Sequence, residues 1–166
     1  MSRLFDVWAY MRRNSKGYVN DSPAHIHPRI MFGPGCSLQT PNFVERHSIT
    51  HVINCAFDQD CPQWIREEFG DKYACLNAVD SLDAFILMWY PEFESTMQKF
   101  LQEPGSRTVY VHCQCGINRS GFLCVAYACK KLGYSYDDVI RSVLKQRPCA
   151  LTNPKYRVQV HHFCHN

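Results

Sequence analysis

The stretch RTVYVHCQCGINRSGFLCVAYACKKL, residues 107–132, decides the fold. Its first six residues are rich in β-branched and aromatic types, the composition of a central strand. From Gly121 to Leu132 it is apolar nearly all round, as expected of a buried helix. Residues 113–119 between them form a loop containing Gly116. A strand running through a short loop into a buried helix sets an alternation that the flanking sequence can be tested against.

Both flanks keep to it. Upstream, Ile30-Met31-Phe32 reads as a strand before Gly33-Pro34-Gly35, residues 41–47 as a helical turn, and Ile49 to Cys55 as a buried strand. Residues 62–69 suit a short helix and Tyr73 to Leu76 another strand. After Pro91, placed for a first helical turn, Phe93, Met97, Phe100 and Leu101 share one helix face. Downstream, Ser135 and Asp138 resemble a capping box before Tyr136, Val139, Ile140, Val143 and Leu144. Thr152-Asn153-Pro154 opens a last helix with Tyr156, Val160 and Phe163 inward. Strands alternating with helices predict an α/β fold with a mostly parallel sheet. Residues 14–28 carry turn-forming types and read as a linker. It divides an N-terminal part, 1–27, with a short amphipathic helix at 3–13, from a domain at 28–166.

Composition narrows the function classes. The chain has 166 residues, 46% of them hydrophobic and 20% charged, which suits one domain and excludes disorder. No apolar run approaches the ~18 residues needed to span a bilayer. Arg3 and Asp6 interrupt the N-terminal apolar stretch, a poor signal peptide. Ten cysteines without a secretory signal read as reduced thiols of the cytoplasm or nucleus. There is no C-x2-C pair, which argues against a zinc ribbon. A net charge of +3 permits an anionic substrate without implying nucleic acid.

The chemistry lies in His112-Cys113-Gln114-Cys115-Gly116-Ile117-Asn118-Arg119-Ser120. A loop at a helix N-terminus turns free backbone N–H groups inward and adds the positive end of the helix dipole, a nest sized for phosphate. A thiol at its floor, Cys113, sits in a field that favours the thiolate. Arg119 can hold two phosphate oxygens through its fork. Gly116 lets the backbone turn where a side chain would block the phosphate. The product is a nucleophile aimed at phosphorus. With ten Cys and eleven Arg, a bare C-x5-R is expected by chance roughly half a time. Requiring His112, Gly116 and Ser120 as well cuts chance by roughly several thousandfold.

This loop resembles the signature of cysteine-dependent protein tyrosine phosphatases, in the dual-specificity branch, and the resemblance extends from residue 28 onward. Ile30-Met31-Phe32-Gly33 and SITHVIN (48–54) look like that family's first two strands. The resemblance implies a central sheet of about five strands flanked by helices, phosphoprotein substrates, and neither metal nor cofactor. The family places its general acid eleven residues before an aromatic-Pro-Glu helix start. Tyr90-Pro91-Glu92 supplies that start, implying Asp80, with Asp83 in reserve. By the same resemblance Ser120 helps the thiolate leave, His112 sustains it, Gln114 to Asn118 line the phosphate, and Asn153 supports the site. The N-terminal helix, the linker and Asn118-Arg119 are similar to the compact poxvirus virion type of this family. That implies a homodimer through residues 3–13 and, for a viral protein, packaging in a virion.

Other residues carry alternatives. Cys55 and Cys115 could trap an oxidised Cys113, or simply fill space. His161, His162, Cys164 and His165 read as a frayed helix end rather than a metal site. An RNA 5′-phosphatase of the same fold also tends to carry Asn before the loop Arg, but the modest charge and lack of a basic run count against RNA. A phosphate-binding pseudophosphatase is the non-enzymatic reading, and an intact Cys113, Arg119 and Asp80 count against it.

Overall fold

The computed structural model describes residues 22–166, so the expected helix at 3–13 and the first part of the linker lie outside the described residues. The strand at the centre of the sequence pattern is also at the centre of the sheet. The strands β1 (Ala24–His27), β2 (Ile30–Pro34), β3 (Ile49–Asn54), β4 (Tyr73–Cys75) and β5 (Thr108–Cys113) lie in the order β1-β2-β5-β3-β4. β5 runs parallel to both β2 and β3, and β4 is parallel to β3. β1 alone is antiparallel, on the edge against β2.

Among the described residues six α-helices cover the two faces: α1 (Pro41–Arg46), α2 (Gln63–Phe69), α3 (Tyr90–Gln102), α4 (Arg119–Lys130), α5 (Tyr136–Gln146) and α6 (Pro154–His165). Side chains alternate across a strand, so β5 feeds two cores. Val109, Val111 and Cys113 join Phe32 and Ile53 under α3 to α6. Tyr110 joins Met31 and Val52 under Phe43 of α1 and Ile65 of α2. Every residue of β5 is buried, as a strand covered on both faces must be. In α4 all ten residues from Arg119 to Ala128 are buried, which accounts for its unbroken apolar pattern. The expected helix faces also bury: Phe93, Met97 and Phe100 on α3, and Val139, Ile140, Val143 and Leu144 on α5. Each such side chain contributes about 1.5–3 kcal/mol by leaving water.

Two sequence expectations need correction. Part of the stretch read as linker is β1, so the sheet begins at Ala24, before the expected boundary at 28. With the sequence AHIH it buries only Ala24 and Ile26, too few apolar residues for a strand pattern to show. Antiparallel pairing to β2 stabilises it, and Pro23 just before it is tolerated at a sheet edge. The C-terminal turn is not frayed: α6 continues to His165. There the rings of His161 and His165 lie 4.1 Å apart, and Tyr136 meets His161 edge-on at 5.1 Å. Among the described residues no group of three or more His, Cys, Asp or Glu side chains could hold a metal ion, and no helix is long and apolar enough to cross a membrane.

Candidate active site

β5 ends on Cys113 and α4 begins on Arg119, so the loop 114–118 closes against the C-terminal edge of the parallel strands. Ligand crevices form at that edge of open α/β sheets. Gly116 sits at φ +65° with its backbone pressed on the end of β2. A Cβ there would lie 2.2 Å from the Gly33 carbonyl carbon and 2.3 Å from the Pro34 nitrogen, so no side chain fits. Among the described residues no side chain caps α4, which leaves its first turn of N–H groups available to an anion. Asn118 turns its carbonyl oxygen the other way, accepting from the N–H groups of Thr152 and Asn153 at 2.8 Å each. The loop is thereby tied to the start of α6.

The thiol of Cys113 is at the loop floor, only 2% exposed, with its Sγ 3.3 Å from the buried Ser120 hydroxyl. Arg119 is 7% exposed and donates from Nη1 to the Ala78 carbonyl at 3.0 Å. That bond fixes the guanidinium against the segment leading to Asp80. Its buried Nε has no acceptor among the described residues. His112 is fully buried, and burial holds its imidazole down to about 4, so the ring is neutral at physiological pH. Its Nδ1–H donates to the Cys113 carbonyl at 3.1 Å. His112 therefore meets the Cys113 backbone as a neutral hydrogen-bond donor.

The two acid candidates separate in space. Asp80 lines a cleft of about 280 Å³ with Ser81, Leu82, Asn118, Thr152 and Asn153. Asp83 is 96% exposed and faces Lys155 at 3.6 Å. Asn153 works twice: its carbonyl oxygen accepts from the N–H groups of Lys155 and Tyr156 at the start of α6, and its amide donates to the Ser81 carbonyl at 3.3 Å. Gln114 borders a second, smaller hollow with Cys36 and Asp60.

Three residues near the site were not legible as such. Tyr156, expected only as core, donates its hydroxyl to the Val79 carbonyl at 2.6 Å and accepts from the Ser81 N–H at 3.4 Å, bracketing Asp80. Cys124 lies with Cys55 and Cys113 in one buried cluster, where burial pushes both the Cys55 and Cys124 thiols well up. Cys115 is exposed. Arg147 is buried and donates to the carbonyls of Cys115 and Gly116. Nothing in KQRPCA (145–150) distinguishes that arginine from one at an ordinary helix end. Together the side chains place a thiol, a hydroxyl and a guanidinium around one anion-sized loop, with a carboxylate at its rim.

Comparison with known proteins agrees with this geometry. The family profile described as "Dual specificity phosphatase, catalytic domain" matches residues 31–166. Dual specificity protein phosphatase 1B of Arabidopsis thaliana is 25% identical over 165 residues, covering 98% of this chain and 95% of the relative. Dual specificity protein phosphatase 1-B of Xenopus laevis is 27% identical over 146 residues, covering 88% of this chain but only 38% of the relative. Among solved structures, human DUSP28 superposes with a TM-score of 0.72 at 19% identity, covering 87% of this chain and 93% of that one, a likeness of fold.

Proposed function

We propose, for a chain that belongs to the dual specificity phosphatase family, that it hydrolyses phosphotyrosine and phosphoserine/threonine in proteins through a phosphocysteine intermediate. The observation that carries this is the pairing of Cys113 Sγ with Ser120 Oγ at 3.3 Å at the foot of a loop that ends on the buried Arg119.

The cycle follows from the positions. A phosphate entering the loop meets backbone N–H groups on its equatorial oxygens and the Arg119 fork on one side. The Cys113 thiolate then attacks phosphorus from below, opposite the leaving oxygen. Asp80, at the cleft rim, protonates that oxygen, which would otherwise depart as a high-energy alkoxide or phenoxide. In the second half Asp80 takes a proton from water, the water attacks phosphorus, and the S–P bond breaks. Ser120 donates to the thiolate as it reappears. His112 keeps the Cys113 carbonyl turned away from that charge by binding it. Gln114, Cys115, Gly116, Ile117 and Asn118 supply the rest of the loop, and Asn153 holds the acid segment to α6.

Hydrolysis of an aryl phosphate, of phosphopeptides and of 5′-triphosphate RNA by wild type and Cys113→Ser tests the reading. The expected result is a wild type that prefers phosphopeptides and an inactive variant. Turnover by Cys113→Ser refutes the mechanism, and a preference for RNA replaces the substrate class. The proposal extends to a homodimer through residues 3–13, and to action in the cytoplasm or nucleus, or within a virion if the chain is viral. The amphipathic spacing of Leu4, Trp8 and Met11 supports the dimer. A chain lacking residues 1–20 then has the solution mass of a monomer.

A further inference from the structure

Three consecutive carbonyls of the catalytic loop point away from the phosphate side, and each is held there. The Ile117 carbonyl accepts from the Leu151 N–H at 2.7 Å. The Gly116 carbonyl accepts from Arg147 Nε and the Cys115 carbonyl from Arg147 Nη2, both at 2.8 Å. Nε–H and an Nη–H form one edge of a planar guanidinium, and here that edge grips two successive peptide groups as it would the two oxygens of a carboxylate. The opposite nitrogen, Nη1, donates to the Ser22 carbonyl at 3.2 Å. Arg147 itself is 2% exposed. This charged side chain, 28 residues beyond Arg119 in the chain, meets the loop through its backbone carbonyls.

The consequence follows from peptide geometry. In a trans peptide the C=O and the N–H of the next residue point in opposite directions. Pulling the Cys115 carbonyl outward therefore aims the Gly116 N–H inward. Pulling the Gly116 carbonyl outward does the same for the Ile117 N–H. The guanidinium also stands behind the loop as a fixed positive charge, aligned with the peptide dipoles it orients. At Gly116, where φ is +65° and there is no Cβ, the grip acts on the peptide groups on both sides of its Cα.

We propose that Arg147 is a positioning residue of the phosphate loop, holding two of its peptide groups in the orientation that binds the phosphate. The inference rests on the reading of residues 113–119 as the phosphate site. It goes beyond that reading by assigning the orientation of the loop to a residue of the α5–α6 connection. Lysine cannot replace the grip, since an ammonium offers no planar edge with two parallel donors.

Tungstate, a non-covalent phosphate mimic, provides the test through its competitive inhibition of aryl phosphate hydrolysis. In Arg147→Met the tungstate inhibition constant and the KM rise together by about tenfold, the factor matching the net contribution of about one hydrogen bond to a charged group. Arg147→Lys, which keeps charge and volume, raises both by about threefold, since one of the two bonds remains. Arg141→Met, on the exposed side of α5, leaves both unchanged. A purely structural role for Arg147 predicts a lower melting temperature with an unaltered inhibition constant in the folded enzyme. A folded Arg147→Met with tungstate inhibition and KM within twofold of wild type overturns the proposal. If Arg147→Met fails to fold, Arg147→Lys decides on the same criterion. Wild type that neither turns over aryl phosphate nor binds tungstate would instead refute the reading of the site itself.

Discussion

Removing one hydroxyl should separate the acid step from the nucleophilic step. The Tyr156 hydroxyl is the only side-chain group seen to bind backbone on both sides of Asp80, donating to Val79 at 2.6 Å and accepting from Ser81 at 3.4 Å among the described residues. Tyr156→Phe keeps the ring, which packs edge-on against Phe122 with centroids 5.8 Å apart. It leaves the Val79 carbonyl without its donor. A lost hydrogen bond with one partner left unpaired costs about 1–3 kcal/mol. If about 1.4 kcal/mol of that falls on the ordered state of the acid loop, the fraction of molecules with Asp80 in place drops about tenfold. The effect then depends on the leaving group. Substrates with basic leaving oxygens need the acid, and their turnover falls about tenfold. Activated aryl phosphates expel their oxygen unaided and keep their rate. A series of aryl phosphates of graded leaving-group basicity, assayed with Tyr156→Phe, Asp80→Asn and the double variant, reads this directly. The double variant should be no slower than Asp80→Asn, because both changes remove one function. An equal loss across the series, or additive losses in the double variant, would refute this account and place Tyr156 in the support of Cys113 or Arg119.

Three further outcomes follow from the same structure. Gly116→Ala should abolish phosphatase activity and lower the melting temperature, because its Cβ would lie 2.2 Å from the Gly33 backbone at a φ of +65°; an active, folded variant would show that the loop relaxes. Phe122→Ala, at a fully buried position of α4, should cost about 3–5 kcal/mol by urea titration, while a loss under 1 kcal/mol would mean that the core closes over the gap. His112 is held neutral by burial down to about 4 against an ordinary 6.5, so the unfolded chain gains a proton first as pH falls. Above pH 6.5 the residue adds no pH dependence; between 6.5 and 4 it should withdraw about 3 kcal/mol of stability, and His112→Gln should flatten that part of the curve. Parallel curves for the two proteins would show that another group governs acid stability.

Much of the fold is local enough to read from the chain. The pattern of 107–132 predicts a buried strand, a tight loop and a buried helix, because strands covered on both faces and helices buried all round must be continuously apolar. The helices at 90–102 and 136–146 show in their 3.6-residue spacing. β1 does not show, since AHIH is made a strand by the partner it lies beside rather than by its own residues. The candidate site divides the same way. Cys113, Gly116, Arg119 and Ser120 fall within eight residues, and their spacing carries their chemistry. The distance from Tyr90-Pro91-Glu92 singles out Asp80 with Asp83 in reserve; the folded chain adds that Asp80 lines a cleft with Asn118 of the loop while Asp83 faces Lys155.

What the sequence by itself determined is the loop and its chemistry: a thiol, a glycine and an arginine at fixed offsets between a strand and a helix. What only the tertiary structure decided is how that loop is held. Arg147, Leu151 and Tyr156 reach it or the acid segment from 31 to 77 residues away, through hydrogen bonds to backbone carbonyls. A carbonyl is the same on every residue, so such bonds leave no mark on the sequence of the segment they hold, and appear only when the chain has folded back on itself.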